Sequence, residues 1–181
     1  NMIEIRIHGR GGQGSVTLAA LLAEAAWYSG QQAQAFPNFG VERRGAPIEA
    51  YVRLDDKFIR LRSQVYAPDY IIVQDVFLLF DGKILADIKK GATIIINAKK
   101  SLSELSLPKG ARVKLINASG LALETIGQPI INTIMLGAFA GLTGLIKLEA
   151  AERAIRERFS GDLAEKNILA ARKGFETITN N

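Results

Sequence analysis

Six residues, Gly9-Arg10-Gly11-Gly12-Gln13-Gly14, set three glycines at the spacing G-x-G-x-x-G between an alternating strand and an apolar helix. The first turn of a helix has unpaired N–H groups and the positive end of its dipole. Glycines at that point let a phosphate, a carboxylate or a neighbouring backbone approach closely. Gly9, Gly11, Gly12, Gln13 and Gly14 are therefore candidates for holding an anionic group. A second charged feature, Glu42-Arg43-Arg44, stands at the tip of the segment Gln34 to Gly45.

Two familiar phosphate chemistries do not fit the loop. A dinucleotide site needs an acidic residue about 20 positions after the glycines, at the end of the second strand, to hold the ribose hydroxyls. That neighbourhood reads Ala33-Gln34-Ala35-Phe36-Pro37 and holds no acid, which disfavours a nicotinamide-dependent dehydrogenase. A Walker-type loop would require Gly-Lys-Ser/Thr, which is absent. Two readings stay open on residue chemistry: a backbone cradle for some other anion, or a small-residue surface against which a helix, strand or partner protein packs.

Polar residues also end three short apolar runs. Tyr70–Gln74 is followed by Asp75, Ala92–Ile96 by Asn97 and Val113–Ile116 by Asn117. Ligands of open α/β sheets sit outside the carboxyl ends of strands, so these three residues could line a site. Turn and helix capping is the simpler expectation for Asp and Asn at such places.

Composition narrows the chemistry. The chain has 181 residues, no cysteine and one histidine, His8. It cannot supply thiolates for an iron–sulfur or zinc centre, and a Ser-His-Asp triad would rest on that one residue. A 48% hydrophobic, 23% charged composition is that of a soluble globular protein. The net charge of +5 is spread along the chain with no aromatic-and-basic reader strip, so no nucleic-acid partner is expected. The apolar run Ile134 to Ile146 is short of the roughly 20 residues a membrane span needs and carries three glycines. No charged-then-apolar leader is read, and Asn1 ahead of Met2 reads as a cloning remnant. A cytoplasmic location with no membrane partner is the expectation.

The elements that must position these residues follow from periodicity. Ile3, Ile5 and Ile7 alternate with Glu4, Arg6 and His8, giving a strand whose second face meets something polar. Leu18, Leu21, Leu22, Ala25 and Ala26 form the inner stripe of a helix that Gly30 stops. Pro37, Gly40 and Gly45 predict an irregular loop over Gln34–Gly45, anchored by Phe36 and Phe39. Ile48–Leu54 and Phe58–Arg62, joined at Asp55-Asp56, read as a hairpin with Arg53, Arg60 and Arg62 facing outward. Short apolar strands between helices follow. The last third is helical: a buried helix over Asn132–Ile146, an amphipathic one over Leu148–Phe159 with pairs Glu149–Arg153 and Glu152–Arg156, and a final stripe of Ala164, Ile168, Ala171, Phe175 and Ile178. The expectation is an α/β fold: a Rossmann-like three-layer sandwich, a mostly parallel sheet with an inserted antiparallel hairpin, and C-terminal helices. With no repeat or linker in view, residues 1–181 read as one domain.

The glycine loop together with Phe36-Pro37-Asn38-Phe39-Gly40-Val41-Glu42-Arg43-Arg44-Gly45-Ala46-Pro47, and then Asn132-Thr133-Ile134-Met135-Leu136-Gly137, resembles the gamma subunit, or gamma domain, of the pyruvate/2-oxoacid:ferredoxin (flavodoxin) oxidoreductase family. The resemblance covers essentially the whole chain. Its Glu-Arg-x-Gly-Ala-Pro form is more like the pyruvate branch than the 2-oxoglutarate branch. It implies a subunit of an enzyme that decarboxylates a 2-oxoacid on thiamine diphosphate, passes electrons through iron–sulfur clusters to ferredoxin or flavodoxin, and transfers the acyl group to coenzyme A. Thiamine diphosphate, magnesium and the [4Fe-4S] clusters would reside on partner subunits, named alpha, beta and the ferredoxin-like delta. The isolated chain would be inactive. By that resemblance Gly9, Gly11, Gly12, Gln13, Gly14, Arg43 and Arg44 would face coenzyme A, with an intersubunit salt bridge as the equal alternative for the arginines. The competing class is a stand-alone α/β module that binds a nucleotide or acidic metabolite at the sheet edge.

Overall fold

Alternation in the first ten residues produces β1 (Ile3–Arg10), and the glycine loop hands it over to α1 (Ser15–Tyr28). The computed structural model describes residues 1–38, 43–99 and 106–180. Further along the chain come β2 (Gln32–Pro37), β3 (Pro47–Asp55), β4 (Tyr70–Val73), a 3-10 turn (Val76–Asp81), β5 (Thr93–Asn97) and β6 (Arg112–Ile116). The helices α2 (Ala118–Thr125), α3 (Asn132–Thr143), α4 (Leu148–Arg158) and α5 (Gly161–Thr179) complete it. One six-stranded sheet runs in the order β2-β3-β1-β4-β5-β6. β3 is antiparallel to both its neighbours, whereas β1, β4, β5 and β6 pair in parallel.

Period two sorts the strands onto two faces. Ile5, Ile7, Val52, Leu54, Ile72 and Ile95 enter a core shared with all five helices. Burying each such side chain fully contributes about 1.5–3 kcal/mol. The opposite face is divided. Its β4–β6 half is apolar, with Ile71, Val73, Ile94 and Ile96 packed under Leu79 and Leu85. Its β2–β3–β1 half carries Glu4, Arg6 and His8 opposite Arg53, Tyr51 and Glu49 in register. The third layer of the sandwich is thus the 3-10 turn and extended chain, while the helices lie together on the first face.

Several local expectations change. Gln34–Pro37 belongs to β2, so the expected loop starts later; Phe39 and Glu42 lie outside the described residues. The antiparallel hairpin is β2 with β3, and Phe58–Arg62 forms no strand. A strand has two hydrogen-bonding edges, and β1 and β2 occupy both edges of β3. Arg60 and Arg62 are exposed as expected, but Arg53 is completely buried, because the chain after β3 folds back over that face. The buried helix ends at Thr143, where Gly144 turns left-handed. On α4, Glu152 pairs with Arg156 at 3.7 Å, but Arg153 turns to Glu157 at 3.4 Å and lies 4.0 Å from the Tyr28 ring centroid, not to Glu149.

α3 and α5 cross with their backbones in contact. A Cβ on Gly137 would collide with the Ala171 carbonyl, and one on Gly174 with the Ile134 carbonyl. Small residues on both helices make this approach possible. It holds the N-terminus of α3, with Asn132, beside the glycine loop.

Candidate functional site at the glycine loop

The glycine loop is shaped by its own polar groups and by what presses against it. The Arg10 N–H donates to Gln13 Oε1 at 2.7 Å and the Gln13 N–H to the Arg10 carbonyl at 3.0 Å, closing a tight turn. Gly12 and Gly14 have φ of 92° and 76°, the left-handed region where a side chain strains the backbone. Gly14 is the N-cap of α1 and supplies no side-chain cap to its first turn. The other glycines answer to space. Gly9 lies against the Ser15 hydroxyl and the Gln74 amide, which hydrogen-bond each other. A Cβ on Gly14 would stand 2.7 Å from Asn132 Nδ2.

Gly11 connects the two charged features of the sequence. Its N–H donates to the Ala46 carbonyl at 2.8 Å and its carbonyl accepts from the Gly45 N–H at 3.1 Å. Gly11 and Arg44 form an isolated parallel bridge, and a Cβ on Gly11 would collide with the Arg43 carbonyl. Candidates from two distant segments are therefore neighbours, and the missing side chain is what lets them meet. Both arginines are exposed, and among the described residues no carboxylate pairs with either.

Arg10, a residue that the sequence reading did not single out, ties this arrangement to the next strand. Its Nε lies 2.6 Å from Asp75 Oδ2, and its Nη1 donates to the Gly45 carbonyl at 3.2 Å. Asp75 uses its other oxygen to accept from the Phe77 N–H at 2.9 Å, capping the 3-10 turn. That turn buries Leu78 and Leu79 and leaves Phe77 and Phe80 exposed and stacked, ring centroids 6.2 Å apart. Only the fold reveals Arg10's role, since nothing local in the sequence brings Asp75 beside it.

The residues at the other strand ends do cap. Asn117 Oδ1 accepts from the Gly120 N–H, and Asn97 bonds Ser119 and the Gln74 carbonyl. Together with Gln13, Gln74 and Asp75 they also line a shallow cleft of about 310 Å³. A larger one, about 680 Å³, runs along the polar sheet face past Arg10, His8, Glu49, Ile48 and Phe77. At its floor the Arg6 Nε–H donates to His8 Nε2 at 3.0 Å, and Tyr51 donates to Glu49 at 2.7 Å. Burial, with the Arg6 charge second, pushes His8 down to about 3, so it is a neutral imidazole. Burial and the Glu49 hydrogen bond raise Tyr51 above the ordinary phenol range.

The sequence profile of the pyruvate ferredoxin/flavodoxin oxidoreductase family matches residues 4–177. The chain belongs to this family. Pyruvate synthase subunit PorC of Methanocaldococcus jannaschii is 51% identical over 177 residues, covering 98% of this chain and 97% of that one. The pyruvate/ketoisovalerate oxidoreductases common subunit gamma of Thermococcus litoralis is 51% identical over 178 residues, covering 97% and 96%. Among solved structures, pyruvate oxidoreductase subunit PORC of Thermotoga maritima superposes with a TM-score of 0.85 at 34% identity, covering 97% of this chain and 96% of that one. Membership gives the Gly11–Arg44 contact an oxidoreductase context. The chain has no cysteine, and among the described residues no group of three or more His, Asp or Glu could hold a metal. No helix of the described residues is long and apolar enough to cross a membrane.

Proposed function

We propose that Gly9, Gly11, Gly12, Gln13, Gly14, Arg43 and Arg44 form the coenzyme A-facing surface of this chain, which is a gamma subunit of a 2-oxoacid:ferredoxin oxidoreductase of the pyruvate type. The complex decarboxylates a 2-oxoacid, passes electrons to ferredoxin or flavodoxin and delivers the acyl group to coenzyme A. Residues 1–181 act as one gamma domain in the cytoplasm. Thiamine diphosphate with magnesium and the [4Fe-4S] clusters sit on the alpha, beta and delta partners, in keeping with a chain that has no thiolate to give. The cofactors carry the difficult chemistry, and this chain contributes positioning and charge.

The observation that carries the coenzyme A assignment is the Gly11–Arg44 bridge. It brings two exposed arginines, unpaired among the described residues, to the glycine loop that leads into an α1 N-terminus with no side-chain cap. Backbone donors and forked cations in one place suit a phosphate-rich ligand. The test is Arg43→Ala and Arg44→Ala in the assembled complex. A raised KM for coenzyme A with an intact complex supports the assignment. Unchanged coenzyme A saturation removes it and leaves the arginines to a partner's carboxylates. Purification from the native host decides the subunit reading itself: a chain that emerges alone, without brown iron–sulfur partners, is a stand-alone module.

A further inference from the structure

Resting on that coenzyme A reading, we infer that Arg10 and Asp75 are positioning residues: a latch that fixes the turn presenting Arg43 and Arg44. The turn Arg43–Ala46 closes on itself through the Ala46 N–H and the Arg43 carbonyl at 3.0 Å. Two backbone bonds at Gly11 tie it to the glycine loop, and after Ala46 the chain runs straight into the β1–β3 ladder, where Pro47 stands opposite Arg10. These main-chain ties reach only β1 and its loop, and Arg10 adds a side-chain tie to β4. Its guanidinium reaches the Gly45 carbonyl with Nη1 and Asp75 with Nε, so one planar group spans the turn and the carboxyl end of β4.

Asp75 is itself held. One oxygen accepts from the Phe77 N–H and the other from Arg10, so the carboxylate cannot follow a moving arginine without uncapping the 3-10 turn. The ladder sets where the turn leaves the sheet, and the Arg10 fork adds a fixed strut from Gly45 to the carboxyl end of β4. The fork matters as well as the charge, because a lysine is a point charge on a flexible stem and cannot hold two acceptors in fixed directions. Arg10 keeps about a third of its side chain exposed, so its charge alone could also favour an anion nearby. The conservative variant separates these roles.

The experiment measures coenzyme A binding by calorimetry, together with KM and kcat, on the purified complex carrying Arg10→Met, Arg10→Lys or Asp75→Asn. The Asp75→Asn side chain would keep an oxygen for the Phe77 N–H but present an amide to Arg10. A latch predicts that all three weaken binding by about tenfold or more, the scale of one charge-assisted hydrogen bond. It also predicts a KM rise that exceeds the loss of kcat, and faster amide exchange at Gly45 and Ala46. Wild-type affinity in Arg10→Lys would overturn the latch in favour of charge alone. Weakened binding in Arg43→Ala and Arg44→Ala, with none in Arg10→Met or Asp75→Asn, would overturn it and leave the coenzyme A reading standing. No change in any of the five variants would sink both. If Arg10→Met does not assemble, Arg10→Lys and Asp75→Asn decide the matter.

Discussion

Gly11 and Arg44 touch backbone to backbone as an isolated bridge, and no residue with a side chain fits at position 11 without moving the Arg43 carbonyl. The first prediction separates two kinds of glycine within one loop. Gly11→Ala meets a backbone wall in an ordinary conformation, whereas Gly12→Ala has open space, its nearest neighbour the Arg44 Cγ at 4.0 Å, but φ of 92°. Gly12→Ala should cost about 1–2 kcal/mol and leave the Arg43–Ala46 turn in place. Gly11→Ala should displace that turn and raise the KM for coenzyme A of the complex. Thermal melts and saturation kinetics on the two variants check this.

Arg53 is the largest completely buried side chain. Its Nε donates to Glu4 Oε1 at 3.0 Å, its Nη2 to the Gln64 carbonyl at 3.0 Å, and its guanidinium lies 5.5 Å from the Phe36 ring centroid. Arg53→Met should lose about 3–5 kcal/mol, because it frees the strap that covers the sheet and leaves Glu4 with only Lys89 at 3.8 Å. The double variant with Glu4→Gln should be less destabilised than the sum of the two singles. Urea unfolding of the four proteins measures the difference.

His8 makes stability depend on pH. Its folded value is about 3 against an ordinary 6.5, so between these values the unfolded chain binds the extra proton. Stability from this residue is complete above 6.5 and falls as pH drops toward 3, at up to about 1.4 kcal/mol per pH unit. His8→Gln keeps an acceptor for Arg6 without the titration. It should flatten that part of the stability curve, measured as melting temperature against pH.

Gly137 and Gly174 are reciprocal. Each faces a carbonyl of the other helix, Ala171 and Ile134 respectively. Alanine at either should force α3 and α5 apart and cost about 3 kcal/mol, at the upper end for an overpacked site. Gly161→Ala, on the same helix as Gly174 but with open space around it and φ of 57°, should cost about 1–2 kcal/mol. Denaturant midpoints distinguish a clash between helices from a backbone preference.

Much was already legible in the chain. Short-range pattern determines what needs no partner: the strand of Ile3, Ile5 and Ile7, the stop at Gly30, the amphipathic stripe of α5 and the absence of any thiolate ligand. The resemblance in Gly9–Gly14 and Phe36–Pro47 was sufficient to name the family that the profile match confirms. Tertiary structure decided everything that depends on which segments share an edge or a face. Periodicity marks Arg53 as polar-side, but not that a covering strap makes that side interior. It suggests a hairpin after β2 without showing that β1 and β2 take both edges of β3, leaving Phe58–Arg62 no edge of that strand to join. Arg10 shows the same limit most clearly. Its neighbours in sequence are glycines, and its partners, Gly45 and Asp75, come from two other segments. The parallel pairing of β1 with β4 is what places Asp75 within its reach. Sequence pattern encodes which face a side chain takes; only the pairing of strands decides what stands opposite it.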